Sequence, residues 1–208
     1  MKFRNNEEDY IKSIYAFIES FGEANENLIS ADLKVSMPTV SEYLNKLEKR
    51  NIIKKLNRKI LLTGYGHNLA LPIVRKHRIS EVFAVKMLDV PWEESHDAVM
   101  DLEHTINENY FNNLLRNLGN PQKCPHGNPI NPGKSIFDIK LENASNGSYK
   151  ISRITYENKK LLRELADMQI LPESSIKVVI DGEPVIINDN GELKITGKNK
   201  SSIRIKSD

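Results

Sequence analysis

The stretch from Leu28 to Thr63 restricts the fold of this chain more than any other part of its sequence. It predicts two short helices, the first capped by Ser30 and the second capped by Ser36. Pro38 falls in the first turn of the second helix, where a proline loses no backbone hydrogen bond. The apolar and basic residues that follow predict a β-hairpin with its turn at Asn57-Arg58.

A longer helix precedes this stretch, over residues 7–21. Apolar side chains recur there at spacings of three and four residues, which places them on one helical face: Tyr10, Ile11, Ile14, Tyr15, Ile18 and Phe21. Three helices followed by a hairpin predict a winged helix-turn-helix. In that motif the second helix of the turn enters the major groove of DNA and the hairpin, or wing, lies along the backbone.

Basic residues accumulate on the end of the third helix and on the hairpin. Between Lys46 and Lys59 there are seven basic residues and one acidic residue, Glu48. Such a stripe can neutralise phosphates and release their counterions. By itself it could also be a solvated helix face. Its coincidence with the predicted recognition helix and wing favours DNA binding.

The rest of the chain predicts a mainly α protein with a β-rich end, in the α+β class. One helix is expected from about Thr63 to Met87, another begins near Pro91-Trp92, and a third ends at Leu118-Gly119. A Pro- and Gly-rich loop over residues 119–135 precedes short strands separated by turns. We predict three domains: a winged helix at 1–72, a helical metal-binding and dimerisation domain at 73–135, and a small β-barrel at 136–208.

Composition narrows the class of protein further. The chain has 208 residues, a net charge of +2 and one cysteine, Cys124, so an internal disulfide cannot form. No apolar run reaches the roughly 18–20 residues that span a bilayer, and the polar start lacks the core of a secretion signal. We therefore expect a cytoplasmic protein with no membrane partner.

Candidate metal ligands lie on the predicted middle helices. His77 and Glu81 are four residues apart and share a face. A second face is predicted to carry His96, Met100, Glu103 and His104. Each set alone could be a solvated pair or core filler. Burying both sets together without a partner would cost free energy. As ligands they suit divalent Fe, Mn, Co, Ni or Zn, with the methionine sulfur disfavouring Mn.

Several segments resemble the diphtheria-toxin-repressor family of iron- and manganese-dependent regulators. The resemblance covers residues 1–135, and the final 70 or so are only loosely similar to the family's SH3-like (FeoA-like) domain. The matching segments are Glu8-Asp9-Tyr10-Ile11, Met37-Pro38-Thr39-Val40-Ser41, Arg75-Lys76-His77-Arg78 with Glu81, His96-Asp97 with Glu103-His104, and Cys124-Pro125-His126-Gly127-Asn128-Pro129-Ile130.

The resemblance implies two metal sites in each subunit. The primary, activating site would use Asp9, Met100, Glu103 and His104. The ancillary site would use His77, Glu81 and His96, with Glu157 as the nearest candidate from the C-terminal domain. Cys124 and His126 look like a metal pair, but the matching family loop is structural, and we expect the same here.

The sequence indicates the identity of the metal less directly than it indicates the ligands. Iron-type members place a cysteine where this chain has Met100, and manganese-type members place a glutamate there. Asp9 matches the manganese type, whereas Lys12 replaces a second carboxylate of that type. We expect Fe(II), with Mn(II), Co(II), Ni(II) or Zn(II) as substitutes.

We also expect a homodimeric repressor on palindromic double-stranded operator DNA, joined through the helices of residues 90–118, whose apolar residues exceed what one short helix pair could bury alone. The residues expected in the major groove are Pro38, Thr39, Ser41, Glu42 and Tyr43. Those expected to contact phosphates are Lys46, Arg50 and Arg58. Glu42 replaces a glutamine of related recognition helices. Since a carboxylate accepts a hydrogen bond from cytosine, the operator can differ from that of the relatives.

Three alternatives stay open. One is a manganese-responsive regulator of the same family. Another is a metal-free regulator of the same fold, in which the histidines are satisfied core residues. The third is a metallohydrolase that uses His77, His96, His104 and the carboxylates, although the chain has no His-Glu-x-x-His motif.

Overall fold

The computed structural model describes residues 7–100, 102–104, 107–133 and 136–207, with only the backbone of Glu103 and Glu108. The described residues form two units that divide between Val74 and Arg75. The first contains three helices, a hairpin and the start of a fourth helix: α1 (Glu7–Phe21), α2 (Glu26–Leu33), α3 (Met37–Lys49), β1 (Ile53–Leu56), β2 (Lys59–Leu62) and α4 (Gly64–Met87).

The first unit is the predicted winged helix-turn-helix. Val40, Leu44 and Leu47 of α3 are buried, as their shared helix face predicts. Strands β1 and β2 pair antiparallel around Asn57, whose φ of 57° supplies the left-handed conformation that the tight turn needs. An additional bridge between Ala24 and Ile60 ties the wing to the chain between α1 and α2.

The predicted helix caps in this unit have different outcomes. Ser36 caps α3, with its hydroxyl accepting a hydrogen bond from the amide of Thr39, as predicted. Ser30 does not cap α2, because the helix begins five residues earlier than expected and Asn25 accepts from the amide of Leu28. Ser30 instead donates to the carbonyl of Val35 at the other end of the helix. Asparagine is as good a cap as serine, so the earlier start is chemically equivalent.

The helical part of the second unit is less regular than the sequence predicts. After α4, a 3₁₀ turn (Trp92–Glu94) leads into the short helix α5 (Ser95–Val99), and a second 3₁₀ turn covers Leu102–His104. Helix α6 (Glu108–Asn117) follows. The single helical face expected for residues 96–104 is therefore wrong, because a 3₁₀ turn rotates each residue by about 120° rather than about 100°.

The C-terminal part contains a six-stranded antiparallel sheet in the order β3-β8-β4-β5-β6-β7. Thirteen buried residues form its apolar core, including Leu161, Leu162 and Leu165 of α7. The short strands predicted for this region are confirmed. The elements are β3 (Ile139–Lys140), β4 (Gly147–Ile154), α7 (Lys159–Asp167), β5 (Ser175–Asp181), β6 (Glu183–Asn188), β7 (Gly191–Lys194), α8 (Asn199–Ser202) and β8 (Ile203–Ser207).

The predicted fold class, α+β with a winged helix and a β-rich C-terminal part, is confirmed. The three domain boundaries stay predictions. Among the described helices, none combines the length and the apolar character needed to cross a bilayer.

A short loop, residues 124–128, is fixed to the end of β4. The amide of Ile154 donates to the carbonyl of His126 at 2.9 Å, and the side-chain amide of Asn128 donates to the carbonyl of Ile154 at 2.7 Å. Gly127 has a φ of +84°, and a Cβ there would lie 2.5 Å from the carbonyl oxygen of Ser152. Only glycine fits this close approach of loop and strand.

We expect Gly127→Ala to destabilise the second unit more than Gly119→Ala does. Both glycines have positive φ, which costs alanine about 1–2 kcal/mol. A Cβ at Gly119 meets nothing within 4 Å, whereas at Gly127 it must displace backbone, adding about 1–3 kcal/mol. Urea unfolding followed through Trp92, the single tryptophan, measures both variants. Equal losses would contradict the close approach.

Candidate functional site

The structure brings four predicted metal ligands together in the second unit. His77, Glu81, His96 and Glu157 each offer one ligand atom, and these atoms all lie within 4.8 Å of one another. The three residues expected from spacing and resemblance are therefore joined by Glu157, the candidate from the C-terminal domain. We refer to these four residues as the ancillary cluster.

Three separate elements supply the ancillary cluster. His77 and Glu81 occupy successive turns of α4, and His96 is the second residue of α5. Glu157 lies between β4 and α7, just before Asn158, which caps α7 by accepting from the amide of Leu161. Two half-exposed ion pairs of 3.1 Å, Lys159–Asp97 and Arg163–Glu94, connect α7 with the chain around α5.

The ligand atoms face one another at hydrogen-bonding distances. Nδ1 of His96 lies 2.6 Å from Oε2 of Glu157 and 2.9 Å from Nε2 of His77. Nε2 of His77 lies 3.1 Å from Oε1 of Glu81. The Glu81 side chain is fully buried and that of Glu157 is 9% exposed. Two buried carboxylates this close are stable only if cations or protons compensate their charge.

A second group of ligand atoms adjoins the ancillary cluster. Glu81, Cys124, His126 and Glu157 also have ligand atoms within 4.8 Å of one another. Nδ1 of His126 lies 3.4 Å from Oε1 of Glu81 and 3.2 Å from Oε1 of Glu157. The sequence signal for this group is the Cys-x-His pair, which the resemblance assigned to a structural loop.

The backbone fixes the orientation of His126. Its Nε2 lies 3.0 Å from the carbonyl oxygen of Trp92. Because a carbonyl can only accept, Nε2 carries a hydrogen and donates it. Nδ1 is left facing the carboxylates. Metal-binding histidines commonly donate their other ring hydrogen to a backbone carbonyl in this way.

The electrostatics are those of mutually compensating buried charges. Burial and the charge of Glu157 act to raise the pKa of Glu81, but the imidazoles of His126 and His77 outweigh them and lower it. Burial would lower the pKa of His126, but Glu157 and Glu81 hold it well above its usual value. Burial acts to raise the pKa of Glu157, but the charge of His126 and the hydrogen bonds from His126, His77 and His96 outweigh it. The pKa of Glu157 is therefore well below its usual value.

The predicted primary ligands lie in different parts of the chain. Asp9 is buried in α1 of the first unit. In the second unit, Met100 directly follows α5 and His104 ends the second 3₁₀ turn, whereas the side chain of Glu103 lies outside the described residues. This ligand set stays a prediction.

The predicted DNA-contacting residues occupy the surface of α3 and the wing. Glu42 and Lys46 form an exposed ion pair of 2.7 Å, and Lys46 lies over the ring of Tyr43. That ring stacks on buried Tyr10, with centroids 4.5 Å apart. The hydrogen bond and charge of Lys46 lower the pKa of Glu42, so its carboxylate is a pure hydrogen-bond acceptor.

The outer basic residues differ in their surroundings. Arg50 is ion-paired with Glu7 at the start of α1. Arg58 is exposed at the tip of the wing, and its neighbour Lys59 pairs with Glu23. Pro38 is exposed on α3, and Thr39 and Ser41 are half-buried there. The arrangement presents polar groups along α3 and a cation at the wing tip.

For the metal-free protein we predict a pH window of highest stability for the second unit. His96 and His126 have raised pKa values in the folded state, so their stabilisation is present below about 6.5 and is lost as pH rises through the folded values. Glu81 and Glu157 have lowered pKa values in the folded state. The stabilisation that they contribute is therefore present above about pH 4.3 and is lost as pH falls through the folded values. The window is therefore about pH 4.3–6.5.

Urea midpoints from Trp92 fluorescence, measured with chelator across pH 4–9, test this window. His126→Gln should flatten the alkaline decline. His67→Gln, at an exposed histidine of the first unit, should leave it unchanged. A wild-type midpoint that stays constant between pH 6.5 and 9 would contradict protonated histidines in the cluster.

Known proteins resemble this chain along most of its length. Residues 2–59 match the family described as "Iron dependent repressor, N-terminal DNA binding domain", and residues 63–132 match "Iron dependent repressor, metal binding and dimerisation domain". The iron-dependent repressor IdeR of Mycobacterium leprae is 33% identical over 150 residues, 71% of this chain and 64% of that protein. The diphtheria toxin repressor of Corynebacterium glutamicum is 28% identical over 97% of this chain and 91% of that protein.

Solved structures also resemble this chain along most of its length. The crystal structure of T. acidophilum IdeR has a TM-score of 0.90 at 27% identity and covers 99% of each chain. The manganese regulator SloR has a TM-score of 0.85 at 29% identity, covering 99% of this chain and all of that one. The matches to the Mycobacterium proteins span less than two thirds of those proteins, 64% and 55% in two cases. With both domain descriptions matched, the chain belongs to the iron-dependent repressor family.

Proposed function

We propose that this protein is a metal-activated transcriptional repressor that binds operator DNA when an intracellular divalent metal ion is abundant. The observation that carries the proposal is the ancillary cluster, buried in a chain whose first unit is a winged helix. Imidazoles and carboxylates at these distances are ligands for divalent first-row metals. The family matches and the names of the similar proteins support the same function.

Two groups of residues would hold the metal. The ancillary site comprises His77, Glu81, His96 and Glu157. The primary site would take Asp9 from the first unit and Met100, Glu103 and His104 from the second. In the primary site a bound cation would supply positive charge to Asp9 and Glu103, which otherwise repel one another. We propose that it thereby favours the arrangement of the winged helix that fits DNA, which is a population shift driven by metal affinity.

The proposed metal is Fe(II). Met100 adds a soft thioether, which suits Fe(II), Co(II) or Ni(II) better than Mn(II). The manganese alternative keeps support from the likeness to SloR. The metallohydrolase alternative loses support, because the similar proteins are named as repressors or regulators.

The proposed DNA surface is α3 with the wing, used twice in a homodimer on a palindromic operator. The dimer would form through residues 90–118, where Tyr110 is 63% exposed and Leu114 and Leu115 are half-buried. Two recognition helices one helical turn of DNA apart match two half-sites. Ionised Glu42 favours cytosine as a hydrogen-bond donor in each half-site.

The two metal sites should differ in their effect on DNA binding. Asp9 is the proposed ligand from the first unit, so only the site that contains it can act directly on the winged helix. We expect His104→Ala to abolish metal-dependent operator binding. His77→Ala should only raise the activating metal concentration, by roughly 5- to 150-fold, the usual range of coupling between two sites.

Anaerobic Fe(II) titration against fluorescent operator DNA measures this difference, and Mn(II) titration compares the two metals. His67→Ala, at an exposed histidine outside both sites, is the matched control. Sedimentation should find every variant dimeric. If His77→Ala is as inactive as His104→Ala while still a dimer, the two sites act as one unit and the proposed hierarchy is wrong.

The wing is expected to contact phosphate through Arg58. Replacing it by alanine should weaken binding to all DNA sequences and reduce the slope of log affinity against log salt by about one unit. Lys160→Ala, at an exposed lysine of α7, should leave the slope unchanged. The measurement is fluorescence anisotropy across a range of salt concentrations, with saturating metal. An unaltered slope for Arg58→Ala would place the wing away from the backbone.

A further inference from the structure

Two stacked tyrosine rings connect the proposed recognition helix, α3, with α1. Tyr10 of α1 is fully buried, and Tyr43 of α3 is half-buried beside it. The ring centroids lie 4.5 Å apart and the ring planes differ by 8°, which is within the range of stacked aromatic pairs. Arg50, just after α3, also pairs with Glu7 at the start of α1. Helix α3 is therefore held against α1 in its middle and at its end.

The ring of Tyr43 in turn contacts a lysine on the exposed side of α3. Nζ of Lys46 lies 5.0 Å from the centroid of that ring, which is a cation–π distance. The two residues are three apart and are neighbours on the helix surface. Because the stack on buried Tyr10 restricts the ring of Tyr43, the position of the ammonium group is set from inside the first unit.

The ammonium group of Lys46 also holds the carboxylate of Glu42. Its Nζ lies 2.7 Å from Oε1 of Glu42, four residues earlier on the same helix. Each group shifts the pKa of the other in favour of its charged form, lowering that of Glu42 and raising that of Lys46. An exposed pair of this kind holds its side chains only weakly on its own. Here the ring of Tyr43 is a second contact for the same ammonium group.

Tyr10 contributes to this arrangement through its ring. Its hydroxyl is buried and makes no hydrogen bond with the described part of the chain. Burial, followed by the nearby Tyr43 and carboxylates, raises the pKa of Tyr10, so the phenol stays neutral. Phenylalanine at this position would therefore keep the stack, whereas leucine would keep an apolar side chain and remove it.

These contacts give Lys46 a role different from the one that its sequence position predicts. A lysine that contacts phosphate must extend its ammonium group to the DNA backbone. In the structure this group is held between the carboxylate of Glu42 and the ring of Tyr43. The competing explanation is that the pair is an ordinary surface ion pair, which opens on DNA and releases Lys46 to a phosphate.

We propose that Tyr10 and Lys46 are positioning residues for base recognition by Glu42. Tyr10 fixes the ring of Tyr43, that ring helps to hold Lys46, and Lys46 keeps the carboxylate of Glu42 in one orientation. A side chain that is ordered before binding loses less conformational entropy when it binds. The inference rests on the proposed function, and in particular on the proposed contact between Glu42 and cytosine.

Selection from a pool of duplex DNA with a randomised centre supplies the probe. Full-length protein loaded with Fe(II) under anaerobic conditions should enrich a preferred sequence. The same selection with Glu42→Gln identifies the base pair that Glu42 reads, because the preference changes there. The readout is a discrimination ratio, the Kd for the duplex with that pair replaced divided by the Kd for the preferred duplex. A single good base contact corresponds to a ratio of about 5 to 150.

A double-mutant cycle tests the role of Lys46. Lys46→Met should lower the discrimination ratio by at least about twofold, the lower end of coupling between side chains in contact. In the Glu42→Gln background the same substitution should leave the ratio unchanged, because Lys46 acts on the base through Glu42. Lys49→Met, at an exposed lysine of the same helix, is the matched control and should keep the wild-type ratio.

Two substitutions of the buried tyrosine test the stack. Tyr10→Leu should lower the discrimination ratio as Lys46→Met does, and Tyr10→Phe should keep the wild-type ratio. An equal fall in both variants would reflect a general disturbance of α1 and would overturn the role of the stack. Because Lys46 is exposed, Lys46→Met tests the proposal even if Tyr10→Leu does not fold.

The remaining outcomes separate this inference from the function on which it rests. If Lys46→Met weakens binding to every duplex but keeps the ratio, Lys46 is a phosphate contact and the inference is wrong. If Glu42→Gln selects the wild-type sequence, Glu42 reads no base, which overturns the inference and leaves the repressor function intact. If the metal-loaded wild type enriches no sequence, the proposed function fails and the inference fails with it.

Discussion

The burial of two carboxylates, Glu81 and Glu157, is the constraint on which the second unit depends. A carboxylate removed from water without compensation would be protonated or would destabilise the fold. Here three imidazoles compensate them, and the histidine and glutamate pKa values shift in opposite directions as a result. The balance holds only while four separate segments meet, so the charges link α4, α5, the 124–128 loop and the start of α7 into one structure.

The sequence predicts those parts of the site that depend on local geometry. Helix α4 is long and continuous, so the spacing of His77 and Glu81 is sufficient to place them on one face. The winged helix is also predictable, because Ser36, Pro38 and Asn57 each have a specific role in a cap or turn. The cap of α2 shows the limit of such predictions. Ser30 is the expected cap and Asn25 is the observed one, since both are good caps and only packing selects between them.

The other ligands depend on contacts between distant segments, which spacing does not encode. Glu157 follows β4 and lies beside His96 because α7 packs against the 3₁₀ turn that precedes α5. His126 reaches the carboxylates because Gly127 lets its loop approach the carbonyl of Ser152. The expected helical face from His96 to His104 fails for a related reason. Helix periodicity assumes a continuous helix, and α5 ends at Val99.

The position of the ligands also separates two effects that a metal can have on this chain. Every residue of the two ligand groups at Glu81 and Glu157 belongs to the second unit, so an ion bound there stabilises that unit by mass action. At a concentration one hundred times the Kd this amounts to about 2.7 kcal/mol. Such binding can stiffen the unit and favour its dimer, yet it has no ligand in the winged helix. A direct effect on DNA binding would require a ligand in the first unit, such as the proposed Asp9, and for this reason we propose that stabilisation and switching belong to different sites.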